Sequence, residues 1–390
     1  MGKLGLHLST DRLTGLGVCI AECHRQGNDI PLLFSVDHGG TWSDVVANGD
    51  IMKTTVMFRT KKSPMGEDGP AGIWDFGVDV NALAEAWMET QMPVWRLSAN
   101  RAHYYIPGNE QDPADLAQAA RFSQFNLRCM QIADAFGFKL GTIAFSTGNP
   151  KDYTGTPSFT LEEMWSMMLP MVDYAAKNGH VITLHEYGFN TTLNDSKPYH
   201  ALRYRRSMRY LATRLPLLPD FYVTETGAFT GGISPLWLED AMWYESEIEK
   251  DAKLKAAAYY QLGNDETIAS QMPQFTQVIA STPTKVALYD PCFGASYETP
   301  VQPRVWDKKV VLAPLSVKTL DQYLAIAEQY GWPTRTEVSF SADSAFARHK
   351  SMKSLTVIVI DPASWGGLDK LLDFAQTYYG EFGAPTIQVV

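Results

Sequence analysis

The chain has 390 residues, 45% of them hydrophobic and 19% charged, which excludes a disordered or fibrous chain and leaves room for one large domain with a small one, or for two of medium size. A formal net charge of −10 repels polyanions, and no Lys/Arg run is dense enough for a nucleic-acid patch, so no nucleic-acid partner is expected. Four cysteines (Cys19, Cys23, Cys129 and Cys292) supply neither a disulfide framework nor a zinc set, and no run of about 18 apolar residues suggests a membrane span.

Strand-like KLGLHLS begins at Lys3 with no signal-type segment before it. The expectation is a soluble protein: cytoplasmic, released by lysis as phage proteins are, or a mature exported form. Seven more apolar runs follow: PLLFSVD (31–37), IMKTTVMFRT (51–60), HYYIPGNE (103–110), KLGTIAFSTGN (139–149), HVITLHEYG (180–188), FYVTETG (221–227) and KLKAAAYYQLG (253–263). Helical patterns lie between them at 13–25, 81–92, 114–136, 161–177, 199–215 and 236–250, and another at 265–279 closes the series. The second connection, TWSDVVANGD, holds only a short helix. Within 199–215, RYRRSMR (203–209) reads as a solvated helix face. Eight strands alternating with helices over about 280 residues predict a parallel (β/α)8 TIM barrel. The open doubly wound sheet is the competitor, but HLSTDRLTG after the first strand is no Gly-rich phosphate turn.

The pattern changes beyond 282. A Pro- and Gly-rich segment at 283–304 reads as a linker, and 305–390 as a small α+β domain of βαββαβ order, the order of a ferredoxin-like domain. It carries no recognisable chemistry, which leaves packing, self-association and docking open as its role.

In such a barrel the active site is built at the C-terminal ends of the strands. Those ends deliver His7, His38, Arg59, Asn109 and Glu110, Ser146 and Asn149, His185-Glu186-Tyr187, Glu225, and Tyr259 and Tyr260. The Gly- and Pro-rich loop after the third strand, with Trp74, is the expected wall or lid of the cleft. Two carboxylates facing each other across one cleft suit glycoside hydrolysis, where one protonates the leaving oxygen and the other attacks the anomeric carbon. A basic group such as Arg59 beside the nucleophile would keep it ionised.

Asn109-Glu110 ending strand four, His185-Glu186-Tyr187 ending strand six and Thr224-Glu225-Thr226-Gly227 ending strand seven resemble the clan A glycoside hydrolases, retaining (β/α)8 enzymes. The resemblance covers residues 1–282. It implies Glu110 as acid/base and Glu225 as nucleophile, acting on a β-linked polysaccharide or cell-wall glycan without a metal or organic cofactor. It also implies that Asn109 binds the hydroxyl beside the anomeric centre, that Tyr187 hydrogen-bonds the nucleophile and that Arg59 supports it. His38, Asn149, His185, Glu186 and Tyr260 complete the expected carbohydrate contacts. Two features depart from the clan pattern. Gln111 stands where a proline is usual, and the eighth strand offers tyrosines where a tryptophan platform is common.

Three alternatives stay open on the sequence. Glu186 could replace Glu110 as the acid or orient His185. The barrel could bind glycans without cutting them. His7, Asp37, His38 and His185 could hold a metal, although the first strand, GLHLS, has one histidine where metal-dependent amidohydrolases of this fold show two.

Overall fold

The computed structural model describes residues 2–9, 29–37, 54–60, 68–98, 102–188, 191–227, 237–262, 306–317, 337–339, 342–346, 352–379 and 383–390, with single positions at 23, 322, 325, 326, 329 and 330. The chain divides into two compact units, residues 1–92 with 101–298 and residues 93–100 with 299–390.

The first unit contains eight strands: β1 (Leu4–Ser9), β2 (Leu32–Asp37), β3 (Thr55–Thr60), β4 (Tyr104–Ile106), β5 (Gly141–Phe145), β6 (Val181–Tyr187), β7 (Phe221–Gly227) and β8 (Leu254–Leu262). They pair in parallel in the order β4-β3-β2-β1-β8-β7-β6-β5. A parallel bridge from Tyr105 to Leu140 then joins β4 to β5 and closes the ring. Each expected strand is present, because a strand buried on both faces requires a continuous apolar run.

The helices between them are α1 (Val80–Ser98), α2 (Leu116–Ala135), α3 (Leu161–Asn178), the short α4 (Leu193–Ser196), α5 (Tyr204–Ala212) and α6 (Trp237–Ile248). Local chemistry sets their starts. Asp115 accepts from the Gln118 backbone N–H at 2.8 Å to cap α2, and Thr160 and Glu163 form a reciprocal capping box on α3. Apart from Cys23, the expected helices at 13–25 and 265–279, the TWSDVVANGD connection and the 283–304 linker lie outside the described residues. No described helix is long and apolar enough to cross a membrane.

The barrel interior is filled by alternate strand residues, among them Phe34, Met57, Ile106, Ala144, Val181, Tyr222 and Ala256. Outside it, an aromatic layer runs from Trp74 over Phe122 and Phe145 to Trp165 with centroid spacings of 6.1, 5.5 and 6.1 Å. Trp74 stacks on Phe122 of α2, and residues 61–67 of the loop expected as the wall or lid lie outside the described residues.

Two of the bulges among the described strands bear on the site. On β7, Val223 pairs with Leu184 but the next pair is Glu225 with His185, so Thr224 is an extra residue. On β5, Ala144 is the extra residue between Ile143 and Phe145. Each bulge reverses the facing of the strand residues beyond it. Ile143 and Ala144 also take positive φ angles of 89° and 44°.

The RYRRSMR segment differs from its expected solvated face. Arg203 is buried and its Nη2 donates to the Pro150 carbonyl at 2.6 Å. Arg205 pairs with Asp251 at 2.8 Å and Arg206 with Glu162 at 2.7 Å. Arg205 and Arg206 answer carboxylates on neighbouring elements, a match that spacing along one helix does not reveal, while Arg209 keeps the expected exposed position.

The second unit contains β9 (Trp306–Leu312), β10 (Glu337–Ser339), helix α7 (Ala342–Phe346), β11 (Met352–Val359), helix α8 (Leu368–Tyr379) and β12 (Thr386–Val389). Its four strands pair in parallel, in the order β10-β9-β11-β12. The expected βαββαβ order is corrected here. The short α7 stands between β10 and β11, so the chain returns to the same end of the sheet before β11 begins. Among the described residues the antiparallel pairs of a ferredoxin-like domain are not formed. Its core holds Val310, Leu312, Phe346, Leu355, Val357 and Leu371.

Candidate active site

Glu225 lies at the centre of the C-terminal face. The bulge at Thr224 puts its side chain on the same side of the sheet as His185 and Tyr187 of β6. Without that extra residue, the alternation that turns Tyr222 inward would turn Glu225 outward. Its Oε1 accepts from Arg59 Nη1 at 2.8 Å, and its Oε2 accepts from the Tyr187 hydroxyl at 2.9 Å. His7 Nε2 and His185 Nε2 each stand 3.7 Å from Oε1, beyond hydrogen-bond reach.

These neighbours fix the charge of Glu225. Burial alone would raise its carboxyl pKa, but His185, His7 and Arg59 outweigh that and hold it well below the usual carboxylate range. Burial lowers the pKa of His7, and the Arg59 guanidinium stands 2.8 Å from Glu225 Oε1. Burial and the adjacent Glu225 charge raise Tyr187 far above an ordinary phenol, so it remains a donor.

Glu110 follows β4 in a left-handed conformation with φ 48°. Its backbone N–H donates to the Ala144 carbonyl at 2.9 Å, at the bulge of β5. Its Oε1 lies 2.8 Å from His185 Nδ1. The Glu110 side chain is 40% exposed, against 10% for Glu225. One carboxylate is therefore locked and dry, and the other is open to solvent. An oxygen of each, together with a ring nitrogen of His185, lies within a mutual 4.8 Å. Asn109, beside Glu110, accepts from the same Arg59 Nη1 and donates to Asp68 Oδ1 at 3.3 Å. One guanidinium thus ties the end of β4 to the end of β7.

Tyr260 of β8 packs against His7 and Tyr187 at centroid distances of 4.8 and 5.7 Å. Asn149 is farther out on the face, donating to Asp112 Oδ2 at 3.0 Å and to Ser146 Oγ at 2.8 Å. Asp112 also accepts from Ser146 Oγ and from its backbone N–H at 3.1 Å. Burial, aided by the Glu110 charge, raises Asp112 to about 6. Sequence reasoning missed Asp112, although it stands two residues after Glu110 in NEQD. His38 lies outside the described residues.

Glu186 is the residue that the structure removes from the group. It alternates with His185 and Tyr187, so it faces the helix layer. There it accepts from the Leu202 backbone N–H at 2.9 Å and from the Tyr244 hydroxyl at 2.7 Å. The expectation that Glu186 contacts substrate or serves as the acid is corrected on this ground.

Burial raises Glu186 to about 7 from an ordinary 4.5. A raised carboxyl binds its proton more tightly in the folded chain. Its contribution to stability is complete below about 4.5 and is lost as pH rises through about 7. Glu186→Gln should therefore flatten the fall in melting temperature between pH 5 and pH 8 relative to wild type. Parallel pH profiles of the two proteins would refute the assignment.

No family model and no curated protein matches the chain. Among solved structures, the chain is similar to a GH128 (subgroup II) endo-β-1,3-glucanase from Sorangium cellulosum, with 14% identity, a TM-score of 0.41, and coverage of 73% of this chain and 100% of that one. It is similar to the endo-β-1,4-glucanase Xac0029 from Xanthomonas axonopodis pv. citri, with 12% identity, a TM-score of 0.45, and coverage of 72% and 99%. It is similar also to the endo-β-1,4-mannanase from Thermotoga petrophila, with 9% identity, a TM-score of 0.44, and coverage of 72% and 77%.

Proposed function

We propose that the barrel is a retaining glycoside hydrolase acting on a β-linked glycan, with Glu225 as nucleophile and Glu110 as acid/base. The observation that carries the reading is the approach of the two carboxylates to within 4.8 Å through His185. Retaining enzymes hold their two carboxyl groups about 5–5.5 Å apart, whereas inverting enzymes leave about 6.5–9.5 Å for a water.

The steps follow from the surroundings of each group. Glu225 is ionised and fixed by Arg59 and Tyr187, so an oxygen is ready to attack the anomeric carbon. Glu110 gives its proton to the glycosidic oxygen as that bond breaks, and a glycosyl ester forms on Glu225. Glu110, now a carboxylate, takes a proton from water. The resulting hydroxide attacks the anomeric carbon and releases Glu225. His185 Nδ1 shares a proton with Glu110 throughout and keeps its carboxyl aimed into the cleft. Asn109 binds the sugar hydroxyl next to the anomeric centre. Asn149 and Tyr260 line the cleft.

Glu110, His185 and Glu225 also offer three atoms to a cation. Arg59 already places a positive charge 2.8 Å from Glu225 Oε1 and would repel a second one there. A metal-free reaction fits the donor set better.

The test is reducing-end release from β-glucans, β-mannans, xylans, chitin and peptidoglycan by protein treated with chelator and by untreated protein. The expected result is turnover of one glycan class, unaffected by chelation. Turnover lost on chelation and restored by a divalent metal would replace this mechanism with a metal-dependent one. Tight binding of a glycan without turnover would make the barrel a binding module.

A further inference from the structure

The C-terminal face carries a feature that the two-carboxylate chemistry does not use. Tyr199 lies in the connection between β6 and α5, on the same face as Glu110 and Glu225, and it is 51% exposed. An exposed tyrosine normally moves freely. This one is fixed from beneath: the Arg203 guanidinium lies 4.8 Å from its ring centroid. Arg203 is itself immobile, being buried and donating from Nε and Nη2 to the Pro150 carbonyl at 3.1 and 2.6 Å. His200 packs edge-on against the Tyr199 ring at 5.0 Å.

The support continues towards the carboxylates. Gly148 takes φ +85°, and a Cβ there would stand 3.4 Å from His200 Cδ2 and 3.7 Å from Tyr199 Cε1. The aromatic pair therefore lies directly on the β5 connection. The next residue, Asn149, is bound to Asp112, two residues from Glu110. The line from Glu110 to Tyr199 thus joins sequence neighbours (Glu110 with Asp112, Asn149 with Gly148) through the Asn149–Asp112 hydrogen bond and the approach of Gly148 to His200 and Tyr199. Its near end is the carboxyl that must stand on the leaving-group side of the broken bond.

We infer that Tyr199 is the platform of a carbohydrate subsite on the leaving-group side, taking one pyranose ring on its open face with His200 and Asn149 at its edge. This inference rests on the glycoside-hydrolase reading and names where the departing part of the glycan sits. The physical case is preorganisation. A sugar ring presents a C–H face that stacks on an aromatic ring, and a ring already held by a cation loses little freedom on binding. The cation lies under the opposite face, so it does not compete with the sugar.

The experiment uses the full chain carrying Glu110→Gln, so that bound glycan survives, and titrates cellohexaose, laminarihexaose and mannohexaose by calorimetry. Tyr199→Ala should weaken binding of the recognised hexasaccharide about tenfold. Tyr199→Phe, which keeps the ring, should stay within about twofold. Phe136→Ala serves as the control, since Phe136 is 36% exposed but follows α2 on the opposite face. In an otherwise wild-type chain, Tyr199→Ala should lower kcat/KM on the hexasaccharide and leave it unchanged on a glycosyl fluoride, whose leaving group is too small to reach the platform. Unchanged hexasaccharide binding by Tyr199→Ala would remove the subsite and leave the two-carboxylate reading intact. Equal losses on hexasaccharide and glycosyl fluoride would overturn it too, because the residue would then act on the fold. Failure of every hexasaccharide to bind would overturn the subsite for β-glucans and β-mannans, and reducing-end release from xylan, chitin and peptidoglycan would decide the glycan reading separately.

Discussion

Glu225→Gly should lower hydrolysis of the recognised glycan by about 10⁴-fold, and added azide should restore turnover with inverted anomeric configuration. Removing the carboxylate empties the face from which the covalent bond forms. A small anion can then enter there and attack directly, giving one displacement in place of two. The product is a glycosyl azide of opposite configuration, which proton NMR identifies without ambiguity. Glycine also leaves Arg59 buried with Asn109 but without its carboxylate, and breaking a buried pair on one side costs about 3–5 kcal/mol. A melting curve must therefore accompany the rates. Glu225→Gln keeps an acceptor for Arg59 and should be equally inactive with a smaller loss of stability.

The same environment sets an acid limit. Glu225 is held below its ordinary value, so its contribution to stability is present above about 4.5 and lost as pH falls through the folded value. Substantial activity in a well-folded Glu225→Gln protein would sink the assignment.

Glu110→Ala should separate substrates by their leaving groups. A sugar leaving group needs a proton, so turnover of the natural glycan should fall about 10²–10⁴-fold. A dinitrophenyl glycoside departs unaided, so the first bond should still break at near the wild-type rate, seen as a burst of dinitrophenolate. The second step lacks its base and becomes limiting. Azide should relieve it and yield a product of retained configuration, opposite to that from Glu225→Gly. Equal losses on both substrates would mean that Glu110 shapes the cleft and does not move the proton. Asp112, which stands beside it with its carboxyl raised to about 6, would then be the next residue to replace.

Much of this frame was legible in the residues. The eight apolar runs each became a barrel strand, because a parallel strand covered on both faces is predominantly apolar and admits mid-strand only small hydrogen-bonded groups such as Thr142 and Thr183. For the same reason the first polar groups after each run mark the rim, and Arg59, Asn109, Glu110, His185, Tyr187 and Glu225 do meet there. Helix starts were readable from Asp115 and from Thr160 with Glu163, since capping is a matter of three or four neighbouring residues.

Facing was not legible. In HEY, three polar residues end one strand, yet His185 and Tyr187 turn inward and Glu186 turns to Tyr244 and the Leu202 backbone. Residue order alone does not say which of the two alternating sets meets the interior. Nor does it announce the extra residue at Thr224 that carries Glu225 inward, because a bulge exists only relative to the strands on either side. The small second unit makes the same point: five residues of helix, Ala342–Phe346, decide between parallel and antiparallel pairing of strands that were themselves foreseen. Local apolar periodicity determined which segments are strands and helices and what chemistry their ends carry. Register between neighbouring strands, a property of no single segment, decided which of those end residues face one another.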